Sequence, residues 1–293
     1  MKPSAFTYHA PTDLDESLAL LDELGEDGKV LAGGQSLVPM MNMRLAAPAA
    51  LVDITRIASL GNIEVTGSHV TVGATVTHER LRKDRAAADA CPLVRRALEW
   101  VAHPVIRNRG TAVGSIAHAD PAAELPAVLA LLGGQVDLAS ARGTRRVDGV
   151  DFILGVLESD VRPGEIATGV RWPVTPRGTG TAFQELARRH GDYALAGVGV
   201  AVGLDEDHHV EAARAAFIGV GGTPVLVDLG AALAGQPHDA LSVAAAVAVA
   251  RDHLDPSDDI HATGSYRRHL AGVLLGRALA EAAANATRTG VPA

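Results

Sequence analysis

Two short glycine-bearing segments carry the residue types that suit anion binding. The first, Ala32-Gly33-Gly34-Gln35-Ser36, follows the apolar run Lys29-Val30-Leu31-Ala32 and precedes the apolar run from Leu37 to Leu45. A glycine pair lets the backbone turn sharply and present successive N–H groups to an anion with no Cβ in the way, and a following helix adds its positive end. The Ser36 hydroxyl and Gln35 amide are further donors to phosphate oxygens. The second segment, Arg107-Asn108-Arg109-Gly110-Thr111-Ala112-Val113-Gly114-Ser115, offers backbone and hydroxyl donors at Thr111, Gly114 and Ser115. Either turn alone most often marks only a tight turn. Together they could satisfy the two adjacent charges of a dinucleotide diphosphate from opposite sides without a lysine. The G-x-G-x-x-G fingerprint is not met: Gly197-Val198-Gly199-Val200-Ala201-Val202-Gly203 has the wrong spacing, and its alternating valines read as strand.

The elements that must position these turns follow from periodicity. Leucines from Asp13 to Leu24 recur at helical spacing behind early acidic residues. Strand Lys29–Ala32, a helix over Leu37–Leu45 and strand Ala50–Ile54 complete a small α/β unit. Ile63, Val65, a Gly67-Ser68 turn, Val70 and Val72 predict a hairpin, with Thr77 capping a helix. Helices are expected over Pro92–Ala102 and Ala122–Leu132, and strands over Val136–Ala139, Ile166–Trp172 and Phe183–Ala187. The stretch from Pro173 to Gly180 reads as a linker with a boundary near residue 176. Beyond it, strands Leu195–Leu204 and Val210–Val220 precede alanine-rich helices over Ala240–Leu254 and Tyr266–Asn285. The expected class is α+β: a two-subdomain α/β domain (1–57 and 58–176) followed by an antiparallel sheet with helices (177–293).

Composition excludes several functions. The 293 residues are 47% hydrophobic and 20% charged, the balance of a folded soluble chain. A net charge of −8 disfavours nucleic acid and anionic membranes. Lysine occurs only at positions 2, 29 and 83, and no P-loop is present. Cys91 is the single cysteine, so an internal disulfide, a thiolate zinc cage and a cysteine-ligated iron–sulfur cluster are excluded within this chain. The histidines show no H-E-x-x-H pattern, and no metal site is expected. With no signal core and no membrane-length apolar run, a cytoplasmic location is expected.

At three ordered places the sequence resembles the FAD-binding medium subunits of molybdenum hydroxylases, aerobic carbon monoxide dehydrogenase above all. These are Val30 to Pro39, Ile106 to Thr111 with Ala117-His118-Ala119-Asp120-Pro121, and Arg188-Arg189-His190-Gly191-Asp192-Tyr193-Ala194-Leu195; Tyr266-Arg267-Arg268 adds a fourth. The resemblance implies a PCMH-type FAD fold in which Leu31, Ala32, Gly33, Gly34, Gln35, Ser36 and Leu37, with Ile106, Thr111, Ala112, Gly114 and Ser115, hold the diphosphate of noncovalent FAD. It implies that Glu124 accepts from ribityl or ribose hydroxyls, that Ile166 and Ala167 lay an apolar backbone against the flavin, and that Tyr193 covers one ring face. His118 and Asp120 join the cofactor shell.

Two departures stand out. The usual second loop is Thr-Ile-Gly-Gly, whereas Val113 here replaces a glycine; either the loop is reshaped or that position needs only ordinary φ. Gln184 stands where many relatives carry lysine, which would weaken stabilisation of a reduced flavin. By resemblance the chain is the electron-transfer subunit of a complex with a large molybdenum-cofactor subunit and a small 2Fe-2S subunit, assembled as a dimer of heterotrimers. The alternatives are a stand-alone FAD oxidase and a noncatalytic scaffold that has lost FAD.

Overall fold

A computed structural model describes residues 2–289. The chain opens with β1 (Thr7–His9), α1 (Leu14–Leu24), β2 (Gly28–Leu31), α2 (Leu37–Asn42) and β3 (Ala50–Asp53), whose strands form a parallel sheet ordered β1-β3-β2. Asp13 begins α1 because its carboxylate accepts the Asp15 and Glu16 N–H groups at 2.9 and 3.2 Å. Gly25, at φ +57°, ends it, and the stripe of Leu18 and Leu21 buries against the sheet. Both expected helices and both expected strands are present, the second helix ending at Asn42 rather than Leu45. β1 is additional: three residues, two of them exposed, leave too little alternation to read.

The next stretch is β4 (Ile63–Val65), β5 (His69–Gly73), six short helices and then the rest of a five-stranded antiparallel sheet. The helices are α3 (His78–Lys83), α4 (Arg85–Ala90), α5 (Pro92–Leu98), α6 (Pro104–Arg107), α7 (Ala112–His118) and α8 (Glu124–Leu131). After them come β6 (Gln135–Ser140), β7 (Gly143–Asp148), α9 (Gly149–Phe152), β8 (Ile153–Gly155), β9 (Glu158–Ser159) and β10 (Ile166–Pro173). The sheet order is β4-β5-β10-β6-β7. The expected hairpin pairs Ile63 with Val72 and Val65 with Val70. β7 reads Gly-Thr-Arg-Arg-Val-Asp, a polar edge strand without an apolar alternation, and β8 and β9 form a separate two-stranded hairpin.

The C-terminal part is an antiparallel sheet, β11 (Thr179–Ala187), β12 (Ala194–Leu204), β13 (Val210–Ile218) and β14 (Val225–Asp228), followed by α10 (Gly230–Leu233), α11 (Val243–Arg251) and α12 (Gly264–Thr289). The mixed α+β class expected from the element order is the class observed.

Side-chain size decides how this sheet is covered. On β12, Ala196, Val198, Val200 and Val202 face a core shared with α12, while Gly197 and Gly199 face the other way. A Cβ on Gly199 would come within 3.3 Å of Leu131 on α8, so the glycine face is what admits that helix. Phe183, Ala194, Ala216 and Ile218 join the N-terminal core on the same side, making the two cores contiguous through the sheet. On the opposite face α12 approaches even more closely: a Cβ on Gly180 would overlap the Ala282 carbonyl and lie 2.8 Å from Ala286 Cα. Gly180→Ala is therefore expected to destabilise the chain by about 2–3 kcal/mol, the cost of forcing a helix off its sheet; urea unfolding of the two proteins measures it, and equal midpoints would contradict this packing.

Candidate functional site

The two glycine segments meet. A Cβ on Gly33 would overlap the Arg109 carbonyl oxygen and fall 2.6 Å from Gly110 Cα, and a Cβ on Gly114 would lie 3.9 Å from that of Ala32. Gly33 is thus required for backbone-to-backbone approach of the segments themselves. Its neighbour Gly34 sits at φ +70°, a conformation side chains disfavour.

The first turn presents free donors. Among the described residues, the N–H groups from Gly33 to Leu37 donate to no protein acceptor, and the Ser36 hydroxyl caps nothing. The expectation for Gln35 is corrected: its amide donates to the Gly33 carbonyl at 3.0 Å and closes the turn rather than standing free. Leu31 ends β2, its carbonyl accepting from Ile54, and Leu37 begins α2.

The second segment is a helix start and not an open loop. Ile106 lies in α6 and its carbonyl accepts from Gly110 at 2.7 Å, turning the chain toward Thr111. Thr111 caps α7: its hydroxyl accepts the Gly114 N–H at 3.1 Å and its carbonyl the Ser115 N–H at 3.0 Å. Ala112 donates to Val76 at 3.2 Å. Gly114 and Ser115 therefore spend the backbone donors expected of them, leaving the Val113 N–H and the Ser115 hydroxyl free among the described residues. Val113 lies in the first turn of α7 with its side chain buried, where φ is ordinary, so the second alternative for that position is the one realised.

Beneath the junction lies His78, which sequence reasoning missed. Its N–H donates to the Gly110 carbonyl at 2.9 Å, and a Cβ on Gly110 would stand 3.1 Å from its ring. Gly110 is held between the Gly33 turn and this imidazole. Neither ring nitrogen has a partner, and burial, aided by the Arg107 charge, pushes the ring down to about 4.

From Thr111 the seven-residue α7 runs about 10 Å, at roughly 1.5 Å per residue, to a second group of candidates. His118 ends the helix, its pKa lowered chiefly by burial while Asp120 opposes and Lys29 assists. Asp120 accepts from Ala122 at 2.8 Å and shapes the turn into α8, whose first residue is Glu124. Tyr193 is 70% exposed; burial of its hydroxyl and the charges of Asp120 and Glu124 push its pKa up. It stands beside a cavity of about 600 Å³, ligand-sized, that Pro121, Ala122, Arg188, Gly219 and Arg267 also line. The loop carrying it is clamped: Gly191, at φ +86°, lies where a Cβ would be 2.6 Å from the His103 ring, and His103 stacks on His190 at 6.2 Å.

Two expectations fare differently. Ile166 is wholly buried in the N-terminal core, so only its backbone and partly buried Ala167 can face a ligand. Gln184 is corrected: it donates to Glu281 of α12 at 2.7 Å, on the sheet face away from Phe183 and the N-terminal domain. Glu185 occupies the inward face instead. Strand alternation from Phe183 was the signal for it.

Protonation of His78 must be resisted by the fold. With its folded pKa below the ordinary value, the unfolded chain takes up the proton first, so stability present at pH 7 declines as pH falls from about 6.5 toward 4, by on the order of 3 kcal/mol. His78→Phe is expected to remove that slope, as read from urea midpoints between pH 4.5 and 7; an unchanged slope would place the titration elsewhere.

Known proteins place this arrangement. Residues 4–175 match the model of the FAD binding domain in molybdopterin dehydrogenase, and residues 181–282 that of the CO dehydrogenase flavoprotein C-terminal domain. The chain is 38% identical to the alpha subunit of the 6-hydroxypseudooxynicotine dehydrogenase complex of Paenarthrobacter nicotinovorans, covering 96% of each chain. It is 37% identical to the carbon monoxide dehydrogenase medium chain of Afipia carboxidovorans, over 98% of this chain and 99% of that one. A chain of the carbon monoxide dehydrogenase of Hydrogenophaga pseudoflava, solved in a form lacking the Mo-pyranopterin moiety, superposes with a TM-score of 0.92 at 36% identity, over 97% of this chain and 99% of that one. With both domains matched in order and over nearly the full length, the chain belongs to the family of FAD-binding medium subunits of molybdopterin-dependent hydroxylases, of the carbon monoxide dehydrogenase medium-chain type.

Proposed function

We propose that this chain carries noncovalent FAD as the electron-transfer subunit of a heterotrimeric molybdenum hydroxylase. The observation that carries the reading is the contact of Gly33 with Arg109 and Gly110, which sets the free N–H groups of Gly33 to Leu37 beside the start of α7. Such a cradle suits a diphosphate without any lysine. About 10 Å along α7, the acceptors Asp120 and Glu124 suit a polyol, and exposed Tyr193 suits the face of a flat ring. When bound there, FAD supplies chemistry that joins one-electron carriers to a two-electron acceptor. The chain's own work is to grip the diphosphate, orient the polyol and cover the ring.

The partners follow from what this chain lacks. Cys91 is buried, with its thiol pushed up to about 12, so 2Fe-2S clusters belong to a small partner subunit and the molybdenum cofactor to a large one. We take the assembly to be a dimer of heterotrimers, and the division near residue 176 to separate FAD-binding and C-terminal domains. Relatives named for substrates as unlike as carbon monoxide and 6-hydroxypseudooxynicotine share this subunit, so substrate choice is assigned to the molybdenum-bearing partner. No helix among the described residues is long and apolar enough to cross a membrane. The two departures that pointed to a scaffold without FAD carry little weight, since Val113 sits in ordinary helical backbone and Gln184 points at α12.

Titrating the purified chain with FAD tests the proposal: a bound yellow chromophore is expected, and a chain that stays colourless overturns it. Gly33→Val is expected to lower FAD affinity by at least about tenfold, because the segments must separate to fit a side chain; full occupancy in the variant would contradict the cradle. Tyr193→Ala is expected to retain FAD with affinity lowered about fivefold, the loss of roughly 1 kcal/mol of stacking, and to alter the flavin absorption bands. An unchanged spectrum would remove Tyr193 from the ring.

A further inference from the structure

The segment that ends at the second glycine junction begins beside His103, whose backbone is fixed by its own sequence. Pro104 follows and holds His103 extended, at φ −100° and ψ 160°. The His103 carbonyl then accepts the Ile106 and Arg107 N–H groups at 2.9 and 3.0 Å. The Arg107 guanidinium folds back and donates to the Val101 and Ala102 carbonyls at 2.8 and 2.9 Å. At the far end the Ile106 carbonyl takes the Arg109 and Gly110 N–H groups at 3.1 and 2.7 Å, where Gly110 meets Gly33. Residues 101–110 are thus one stapled unit. The His103 imidazole is left over, because it makes no capping bond to α6.

That ring reaches the other half of the chain. Between β11 and β12, residues 188–193 form a turn in which the Asp192 N–H donates to the Arg189 carbonyl at 3.1 Å and Arg188 stands 4.0 Å from Asp192. His190 stacks on His103, with ring centroids 6.2 Å and planes 28° apart. Gly191, at φ +86°, lies on the same imidazole: a Cβ there would stand 2.6 Å from Cε1 and 2.8 Å from each ring nitrogen. Such close approach is open only to glycine. Among the described residues the turn makes no hydrogen bond or ion pair outside itself, so the imidazole is what its tip rests on. Two residues after Gly191 comes Tyr193, which lines the cavity together with Arg188, Gly191 and Asp192.

We propose that His103 is a positioning residue whose flat ring sets where Tyr193 stands. The same stapled unit carries Arg109 and Gly110 at one end and this ring at the other, so a single rigid segment registers the glycine junction against the Tyr193 loop of the other domain. A flat group suits the place because a glycine backbone and a second imidazole both pack against it; a short side chain leaves the turn unsupported. Only the covering of a flavin by Tyr193 rests on the flavin reading. The placement of Tyr193 by His103 does not.

The full chain tests this without cofactor. Hydrogen exchange of the Asp192 amide is expected to be at least about tenfold faster in His103→Ala than in the wild type, and close to wild type in His103→Phe, which keeps a flat ring. Exchange in α7 and the urea midpoint are expected to stay unchanged. Gly191→Ala probes the same contact from the loop side, by pushing the ring away, and is expected to speed the same amide. Equal exchange in His103→Ala and wild type, or exchange in His103→Phe as fast as in His103→Ala, overturns the proposal. So does faster exchange throughout the chain with a fallen midpoint, which would make the ring a general support. In FAD titrations His103→Ala is expected to reproduce the altered flavin bands of Tyr193→Ala and its affinity loss of about fivefold, and the double variant to lose no more than either alone. Losses that multiply would show His103 acting apart from Tyr193 and overturn the positioning role. A chain that shows the exchange contrast yet binds no FAD sustains the placement of Tyr193 and overturns the flavin reading instead.

Discussion

The missing side chain of Gly33 sets the geometry of the rest. Because only a hydrogen stands there, the turn after β2 can lie directly on the Arg109 carbonyl and Gly110, and two segments more than seventy residues apart in sequence become one surface of backbone donors. His78 completes the arrangement from below by binding the Gly110 carbonyl and packing its ring against Gly110. Each layer in this stack is thin, and each is thin for a stated reason: glycine, glycine, then a flat ring that burial keeps neutral.

A similar logic of small residues joins the two halves of the chain. Gly197 and Gly199 on β12 leave one face of the C-terminal sheet bare enough to receive α8 and to house Glu185, while the valines between them fill the core under α12. Gly191 seats the Tyr193 loop on His103. The loop that carries Tyr193 beside the cavity is thus held on the N-terminal part of the chain through Gly191 and His190.

Charge is handled without spare cations. In a chain of net charge −8 with three lysines, the N-terminal cradle offers an anion neutral N–H dipoles and a helix start. The arginines near the cavity are committed to carbonyls and acids. A diphosphate bound there, as proposed, would be gripped by backbone shape, less sensitive to salt than at a lysine site.

Most elements were legible because their signals are local: a capping Asp13, alternating valines and glycine turns act over a few residues, and the α+β order follows from them. The paired glycine segments were legible as anion-binding types, and their resemblance to flavin subunits followed from the same residues. What the chain alone could not reveal depends on neighbours distant in sequence. Whether Thr111 opens a loop or caps a helix was decided when its hydroxyl took the Gly114 N–H, which is why Val113 costs nothing there. Gln184 and Glu185 are adjacent and similarly polar, so composition could not choose between them. The choice came from which face of β11 meets the N-terminal core and which meets α12, and side-chain direction in a strand is set only when the sheet is packed on both sides.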